Sequence, residues 1–292
     1  MPSPVLKFSL AQFRDYVALA KLRLVSLTLL SAAAGFYLGS PSPLNAKLFW
    51  STLLGAALVA AGSMTFNQWM ERAEDALMKR TANRPLPAGR LESRPAFLFG
   101  LLLSLAGLGV LLAFTTIQAA IVAAAILLSY VLAYTPLKKK TTFNTLVGAI
   151  PGALPPLMGW AAAQGNFSYK AWTLFAIIFF WQMPHFLAIA WFCRKEYEAA
   201  GFQMLSVGDT DGSKVGGQIL VHSMVLLPVS VMPSVVGITG HLYFFAAFFM
   251  SALFMMIAAF SLNQLDKRAK NLFRISLLHL SLMLLFMTLD KI

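Results

Sequence analysis

The chain has 292 residues, of which 59% are hydrophobic and only 12% are charged. No water-soluble globular domain needs that much apolar side chain, so the composition excludes a soluble enzyme. A net charge of +12 would suggest nucleic acid as the partner of a soluble protein, but here the placement of the basic residues has another explanation, and we expect no nucleic acid. With Cys193 as the single cysteine, an intrachain disulfide cannot form.

Apolar runs long enough to cross a membrane recur from one end of the chain to the other. Windows of about 19 residues predict nine spanning helices, each able to cross a hydrocarbon core of about 30 Å. The predicted spans are 17–39, 46–66, 95–113, 117–134, 144–163, 171–192, 218–238, 241–261 and 271–289. The sequence therefore predicts an all-α polytopic membrane protein, with one domain over residues 1–292 and long polar loops at 67–94 and 193–217.

Basic residues gather on one side of the predicted membrane. Twenty of the 23 Lys and Arg residues fall in segments 1–23, 67–94, 138–140, 194–214 and 267–274, and the other side receives Lys47, Lys170 and Lys291. By the positive-inside rule, the N-terminus and both long loops are cytoplasmic and the C-terminus is outside. The first sixteen residues are too short and too poor in Arg and Ser for an organelle transit peptide, so a bacterial inner membrane fits best.

Acidic residues are more lopsided still, because ten of the eleven Asp and Glu residues lie on the cytoplasmic side and Asp290 lies on the other. Asp and Glu contribute little to topology, so the asymmetry favours a chemical explanation. We expect the second spanning helix to continue to the residue before Pro85. It carries Asn67, Glu71 and Asp75 within roughly 80° of arc. Mg²⁺ prefers such oxygen ligands and completes its shell with waters and substrate phosphates.

Basic side chains follow this stripe closely. They are Arg72, Lys79, Arg80 and Arg84. Guanidinium groups hold phosphate oxygens in bidentate fashion, so the acids and bases together suggest a metal-bridged diphosphate. The alternative is a solvated helix end in which Asp75 and Lys79 form an i,i+4 pair. Against that alternative stands the position of the stripe at the hydrocarbon boundary, where polar groups are costly.

The sixth span contains polar residues at membrane depth, Gln182 and His185, on either side of Pro184. Pro184 is expected to kink the helix, and the two polar side chains are then expected to face a cavity. His185 could coordinate a haem iron, hydrogen-bond a substrate carboxylate, or merely bond to a neighbouring carbonyl group. The spacing alone leaves these three roles open.

Charged residues after the sixth span repeat the pattern of the first loop. They are Arg194, Lys195, Glu196 and Glu198. The two loops could close one site between them, and the alternative is an ordinary charged loop. Asp209 and Asp211 are interpreted as turn residues. The run 138–140 of three lysines could supply positive charge to a diphosphate, although orientation by basic residues explains the run as well.

Several motifs resemble those of a known family. Asn67-x-x-x-Glu71-x-x-x-Asp75, followed by the segment 78–87, is similar to the first motif of the membrane prenyltransferases of the UbiA superfamily, and specifically of its haem O synthase branch. Further segments of the chain resemble that branch as well. They are 134–138, 152–160, 181–186 and 197–205. The resemblance extends over most of the chain, from about residue 15 to residue 290.

The resemblance implies an activity and a shape. The farnesyl group of farnesyl diphosphate would be joined to a vinyl group of haem B, with addition of water, giving haem O for haem-copper oxidases. The helices would surround a central cavity that opens to the cytoplasmic side. Membrane lipid, a downstream haem-modifying enzyme and oxidase assembly factors are the other expected partners.

The resemblance also implies roles for individual residues. Mg²⁺ would be bound by the expected catalytic residues Asn67, Glu71, Asp75 and Glu196. Diphosphate would be held by Arg72, Lys79, Arg80, Arg84, Lys138 and Lys195, and haem would contact His185 and Gln182. An apolar chamber with aromatic faces such as Trp69 or Phe66 would shelter the allylic carbocation from water.

Two other classes of function fit part of the pattern. A transporter or channel would also have many spans, but it predicts ionisable residues spread through the membrane depth and repeated halves, whereas these carboxylates gather at one surface. A prenyltransferase acting on an aromatic acid or a quinone precursor would share the first motif. The segments around 152–160 and His185 favour the haem branch over it, by resemblance.

Overall fold

A computed structural model describes residues 9–292, and every regular element in that range is helical. Residues 1–8, which include the counted Lys7, lie outside the described range. In chain order the α-helices are α1 Leu10–Ala20, α2 Leu22–Gly39, α3 Ala46–Met70, α4 Arg72–Leu77, α5 Ser93–Phe114, α6 Ile117–Leu128, α7 Thr135–Leu137, α8 Asn144–Gln164, α9 Tyr169–Phe192, α10 Arg194–Ala199, α11 Ser213–Val235, α12 His241–Ser261 and α13 Leu265–Leu289. A π-helix, Ser129–Tyr134, joins α6 to α7, and a 3₁₀ turn, Leu262–Gln264, joins α12 to α13.

The described residues contain eight helical stretches that are long and apolar enough to cross a membrane. The longest, His241–Leu289, covers the last two predicted spans. Within it α12 and α13 are antiparallel, because the backbone N–H of Gly240 donates to the carbonyl of Asp290 at 2.9 Å and that of Tyr243 donates to the Asp290 carboxylate at 2.7 Å. The prediction of a polytopic helical membrane protein is confirmed.

The first predicted span, 17–39, is wrong at its start. The chain forms two helices there, and the break falls at Lys21, the one described non-glycine residue with a left-handed backbone, at φ 47° and ψ 51°. Such a conformation is uncommon for a residue with a side chain and needs support from its surroundings. Lys21 consequently leaves the helical path and turns its side chain towards α3, where its amine reaches Asn67.

The helices α8 and α9 form the centre of the bundle. Their membrane-crossing windows are 72% and 61% buried, against 22% for α5. Close contact between α2 and α8 requires a glycine on each helix: a Cβ atom on Gly159 of α8 would lie 2.0 Å from the carbonyl oxygen of Ala32, and one on Gly35 of α2 would lie 2.0 Å from that of Pro156. Small residues thus let the backbones of α2 and α8 approach each other, as expected between membrane helices.

The first long loop is folded, although its helix ends earlier than predicted. Helix α4 ends at Leu77, well before Pro85, and turns follow it. The Thr81 hydroxyl donates to the carbonyl of Asp75 at 2.8 Å and closes the chain back on the helix end. Leu86 and Leu91 are buried against Leu19 and Ala96, so apolar packing fixes the loop beneath α1 and α5.

Candidate active site

The three oxygen-bearing residues of the first motif are buried side by side. Asn67 lies in the last turn of α3, Glu71 joins α3 to α4, and Asp75 lies in α4. The backbone N–H of Glu71 donates to Asn67 and that of Asp75 to Glu71, at 2.9 and 2.7 Å, so the helical path continues through the junction and keeps the three side chains on one stripe. Their exposed fractions are 2%, 5% and 1%. A solvated helix end is therefore excluded.

Each residue of the stripe has a cationic partner. The Lys21 amine donates to Asn67 Oδ1 at 3.3 Å, Lys138 Nζ lies 2.7 Å from Glu71 Oε1, and Arg84 donates to Asp75 Oδ2 at 2.7 Å. The alternative in which Asp75 pairs with Lys79 is wrong, because the partner of the Asp75 carboxylate is Arg84. These cations come from three separate parts of the chain, so the stripe connects segments that are distant in sequence.

Burial and neighbouring charges act in opposite ways on two of these lysines. Burial first, and then the positive charges of Arg84 and Lys138, lower the pKa of Lys21 to about 7, with the acids of the stripe opposing them. Burial also acts to lower the pKa of Lys138, but the Glu71 carboxylate and the rings of Tyr134 and Tyr130 outweigh it and hold that pKa above its ordinary value. Lys138 therefore stays protonated beside Glu71.

The π-helix and the start of α7, which precede Lys138, bring two more side chains to the stripe and its partners, those of Tyr134 and Thr135. The Asn67 amide donates to the Thr135 hydroxyl at 3.4 Å, and Thr135 donates in turn to the carbonyl of Tyr130 at 2.9 Å. Lys138 Nζ lies 4.6 Å from the ring centre of Tyr134. Wider π turns recur at functional sites because they re-aim side chains within a helix. Sequence reasoning carried no signal for this turn.

A basic cavity of about 630 Å³ lies next to the stripe. Its cationic lining residues are Lys21, Arg23, Arg80, Arg84 and Arg90. The sequence predicts Arg80 and Arg84 as diphosphate-binding residues, whereas it gives Lys21 and Arg23 only a role in membrane topology. Nothing in the sequence marks Lys21 as a site residue, because its position depends on the left-handed break before α2.

The second polar loop reaches the first through one ion pair. Glu196, in α10, lies 3.4 Å from Arg80 Nε, and the Arg80 guanidinium stacks 4.8 Å from the ring centre of Tyr197. Burial of Arg80 acts to lower its pKa, but Tyr197, Cys193 and Glu196 outweigh that effect and raise it. The two loops thus meet at one end of the bundle.

Some predicted residues lie away from this cavity. Arg72, at the start of α4, folds back on the end of α3 and donates to the carbonyl of Trp69 at 2.7 Å. Lys79 and Lys195 are exposed. Trp69 packs towards α5, where its indole donates to Ser93 at 2.8 Å, and Phe66 also contacts a ring of α5. The ring of Tyr134 instead contacts Lys138, the partner of Glu71, and the ring of Tyr130 lies 5.2 Å from that of Tyr134.

Gln182 and His185 are bonded to neighbouring helices. The Gln182 amide donates to the carbonyl of Ala149 in α8, and His185 Nδ1 lies 2.7 Å from the Ser276 hydroxyl in α13. The Ser276 hydroxyl donates its hydrogen to the carbonyl of Phe273. His185 Nδ1 must therefore be the donor to Ser276, and Nε2 is the free acceptor. Helix α9 continues through Pro184. The expected cavity is not needed to satisfy these groups, because other helices do so.

The second-loop aspartates behave as predicted. Asp209 accepts from the backbone N–H of Val215 at 2.8 Å, and Asp211 accepts from that of Ser213 at 3.0 Å. The hydrogen bonds that Asp211 accepts from the backbone N–H and then from the hydroxyl of Ser213 lower the pKa of Asp211. Both side chains therefore cap the start of α11, and the turn interpretation is confirmed.

The donor set of the stripe fits a divalent cation. Among residues 9–292 no three Asp, Glu, His or Cys side chains form a metal cluster by themselves. Mg²⁺ does not require one, since it is usually bound through one or two carboxylates, waters and substrate phosphates. Asp75 Oδ1 is buried without a hydrogen-bond partner, which leaves a hard oxygen available beside Glu71 and Asn67.

The buried acids, the basic cavity and the membrane helices together define a membrane-embedded enzyme for anionic, lipid-like substrates. Solved structures of such enzymes share the fold. A digeranylgeranylglyceryl phosphate synthase structure matches with a TM-score of 0.81 at 17% identity, covering 96% of this chain and 99% of that one. A UbiA homolog from Archaeoglobus fulgidus bound to DMAPP and Mg²⁺ matches with a TM-score of 0.65 at 15% identity, covering 94% and 99%.

The chain belongs to the UbiA prenyltransferase family, whose model matches residues 28–284. It is similar to the protoheme IX farnesyltransferase of Solibacter usitatus, with 40% identity over 288 residues that cover 95% of this chain and 99% of that protein. The protoheme IX farnesyltransferase of Myxococcus xanthus is 38% identical over 280 residues, covering 95% of both chains. The predicted family is therefore confirmed.

Proposed function

We propose that this protein transfers the farnesyl group of farnesyl diphosphate to a vinyl group of haem B, with addition of water, to give haem O. The observation that carries the proposal is the buried stripe of Asn67, Glu71 and Asp75 beside a cavity lined by basic residues. Relatives named protoheme IX farnesyltransferase support the choice of acceptor. The alternative of a quinone precursor as acceptor is not favoured by these relatives.

The chain's own residues explain how the diphosphate would leave. Cleavage of an allylic diphosphate develops negative charge on the leaving group, and preorganised cations in a water-poor site stabilise that charge. Lys21, Arg80 and Arg84 line the cavity, and Lys138 stays protonated beside it. When bound by Asn67, Glu71 and Asp75, with Glu196 as a fourth candidate ligand, Mg²⁺ would add Lewis-acid stabilisation of the same charge. Arg72, Lys79 and Lys195 stay predicted phosphate contacts.

The carbocation formed on the prenyl chain needs the opposite environment. Lys138 Nζ lies over the ring of Tyr134, and the ring of Tyr130 lies 5.2 Å from that of Tyr134, so the faces of this pair that Lys138 does not occupy would attract the carbocation. Exclusion of water by the surrounding helices would protect the cation until the vinyl carbon attacks it. His185 and Gln182 stay candidates for contact with haem.

The setting of the reaction is part of the proposal. The basic-residue asymmetry supports a bacterial inner membrane, with the N-terminus and the reaction site on the cytoplasmic side and the C-terminus outside. Farnesyl diphosphate and haem B are both amphipathic, so we expect them to enter from the bilayer. A downstream haem-modifying enzyme or oxidase assembly factors would then accept the product.

One assay tests the activity directly. Purified protein in lipid nanodiscs is incubated with haem B, farnesyl diphosphate and Mg²⁺. The haem products are then separated, and their masses are measured by mass spectrometry. The expected product carries one farnesyl group and one added water. Omission of the metal should abolish its formation. Transfer to an aromatic acid or a quinone precursor, with haem B left unchanged, would overturn the proposal.

A further inference from the structure

A second cavity, of about 620 Å³, lies between α8, α9 and α11, and we call it the α11 groove. The segment that carries Lys138 continues into its wall at Phe143 and Leu146, and α11 contributes Val221. These three side chains are 69%, 40% and 52% exposed, so the groove opens to the apolar exterior of the bundle. Its volume is in the range of about 300–1,000 Å³ that is usual for sites of organic ligands.

One face of α11 gives this apolar groove three polar side chains. Lys214, Gln218 and His222 are spaced i, i+4 and i+8, and all three line it. Among residues 9–292 no hydrogen bond or ion pair is formed by the Lys214 amine or the Gln218 amide. Lys214 lies at the start of α11, whereas His222 lies about two turns further along the helix, inside the membrane span, where a polar side chain is costly and marks a functional site.

His222 is oriented as a metal ligand would be. Its Nδ1 lies 2.8 Å from the carbonyl oxygen of Gln218. A carbonyl can only accept, so Nδ1 carries the hydrogen and the neutral ring offers Nε2 as a free lone pair. Histidines that bind metals almost always donate their other N–H to a carbonyl or carboxylate in this way. His185, by contrast, is buried between α9 and α13.

We propose that the α11 groove is a docking site for haem, in which His222 Nε2 ligates the iron, the apolar walls cover the porphyrin and Lys214 binds a propionate at the mouth. His222 and Lys214 are about 12 Å apart along the helix, which an extended lysine side chain bridges to the edge of the ring. The inference rests on the proposed function, since it takes haem B as the acceptor.

Haem titration of the full chain in nanodiscs tests this site. Ferric haem B should bind to the wild-type protein with the absorption spectrum of histidine-ligated iron. His222→Ala and His222→Gln should lose that spectrum and weaken haem affinity at least tenfold. His241→Ala is the matched control, because His241 is exposed at the start of α12, away from the α11 groove, and its loss should leave both properties unchanged. An unchanged spectrum and affinity in both His222 variants would overturn the proposal.

A second measurement separates the lysine from the iron ligand. Lys214→Ala should weaken binding of haem B several-fold but should not affect its dimethyl ester, which has no carboxylates. Equal weakening of both ligands contradicts the propionate contact. In turnover, His222→Ala should raise the KM for haem B and leave the KM for farnesyl diphosphate unchanged. If wild-type protein binds haem through His222 but forms no haem O, the proposed function fails while the docking site stands.

Discussion

Asp75 is the residue on which the stripe can be tested most directly. Asp75→Asn keeps the size of the side chain but removes the charge that pairs with Arg84 and the spare oxygen Oδ1. We expect prenyl transfer to fall about 100-fold or more, the scale of losing one charge-stabilising group in an active site. Melting temperature in the same detergent should change little, since Arg84 is partly exposed and can be solvated.

The matched control for Asp75 is Glu92→Gln, which neutralises an exposed carboxylate in the same loop. It should retain full turnover. Normal activity of Asp75→Asn would remove the metal-site interpretation, and a similar loss in Glu92→Gln would show that the loop responds to net charge alone.

Lys21 combines an unusual backbone with an amine in the basic cavity whose pKa is lowered to about 7, and a bound diphosphate would favour the protonated form of that amine. Lys21→Gly removes the amine while glycine accepts φ 47° without strain, so stability should be kept. A charge-assisted hydrogen bond contributes about 1.5–3 kcal/mol, so the KM for farnesyl diphosphate should rise about tenfold or more. Lys21→Arg, which keeps the charge, should recover part of the loss. An unchanged KM in Lys21→Gly would exclude a phosphate contact.

At the scale of helices, the free energy of unfolding depends on the close contact between α2 and α8. Gly159→Ala places a Cβ atom 2.0 Å from a carbonyl oxygen of α2, and backbone cannot move aside cheaply. We expect a loss of about 1–3 kcal/mol in the free energy of unfolding, as for other overpacked interiors. Gly109→Ala is the control, because a Cβ atom on Gly109 in α5 meets nothing within 4 Å. Equal unfolding midpoints in a denaturant series would contradict this account.

The spanning helices were predictable because a run of apolar residues needs only the bilayer to become a helix. The same holds for the stripe, since a helical period fixes which side chains share a face. The break at Lys21 and the π turn before Thr135 were not predictable, because both depend on contacts with α3 that are distant in sequence. His185 was similarly ambiguous, since its partner, Ser276, belongs to another helix.

At the scale of the whole molecule, orientation is the open prediction. In a Cys193→Ser background, Glu198→Cys and Asn166→Cys each place one thiol on an exposed position at opposite ends of the bundle. If the positive-inside rule holds, a membrane-impermeant thiol reagent should label Asn166→Cys in intact spheroplasts and Glu198→Cys only in inverted vesicles. The reverse labelling pattern would overturn the assigned orientation.

The ion pairs of the stripe have a thermodynamic consequence. Lys138 and Arg84 are held by Glu71 and Asp75, so neither cation is free for a phosphate until its acid finds another positive partner. A diphosphate that binds alone must draw the cations away from their acids, and a divalent ion that binds alone must draw the acids away from their cations. In each case the broken ion pairs leave charged side chains without a partner, which costs free energy. The two ligands should therefore bind with positive cooperativity, because the cations released by the metal can pair with the diphosphate and the acids released by the diphosphate can bind the metal.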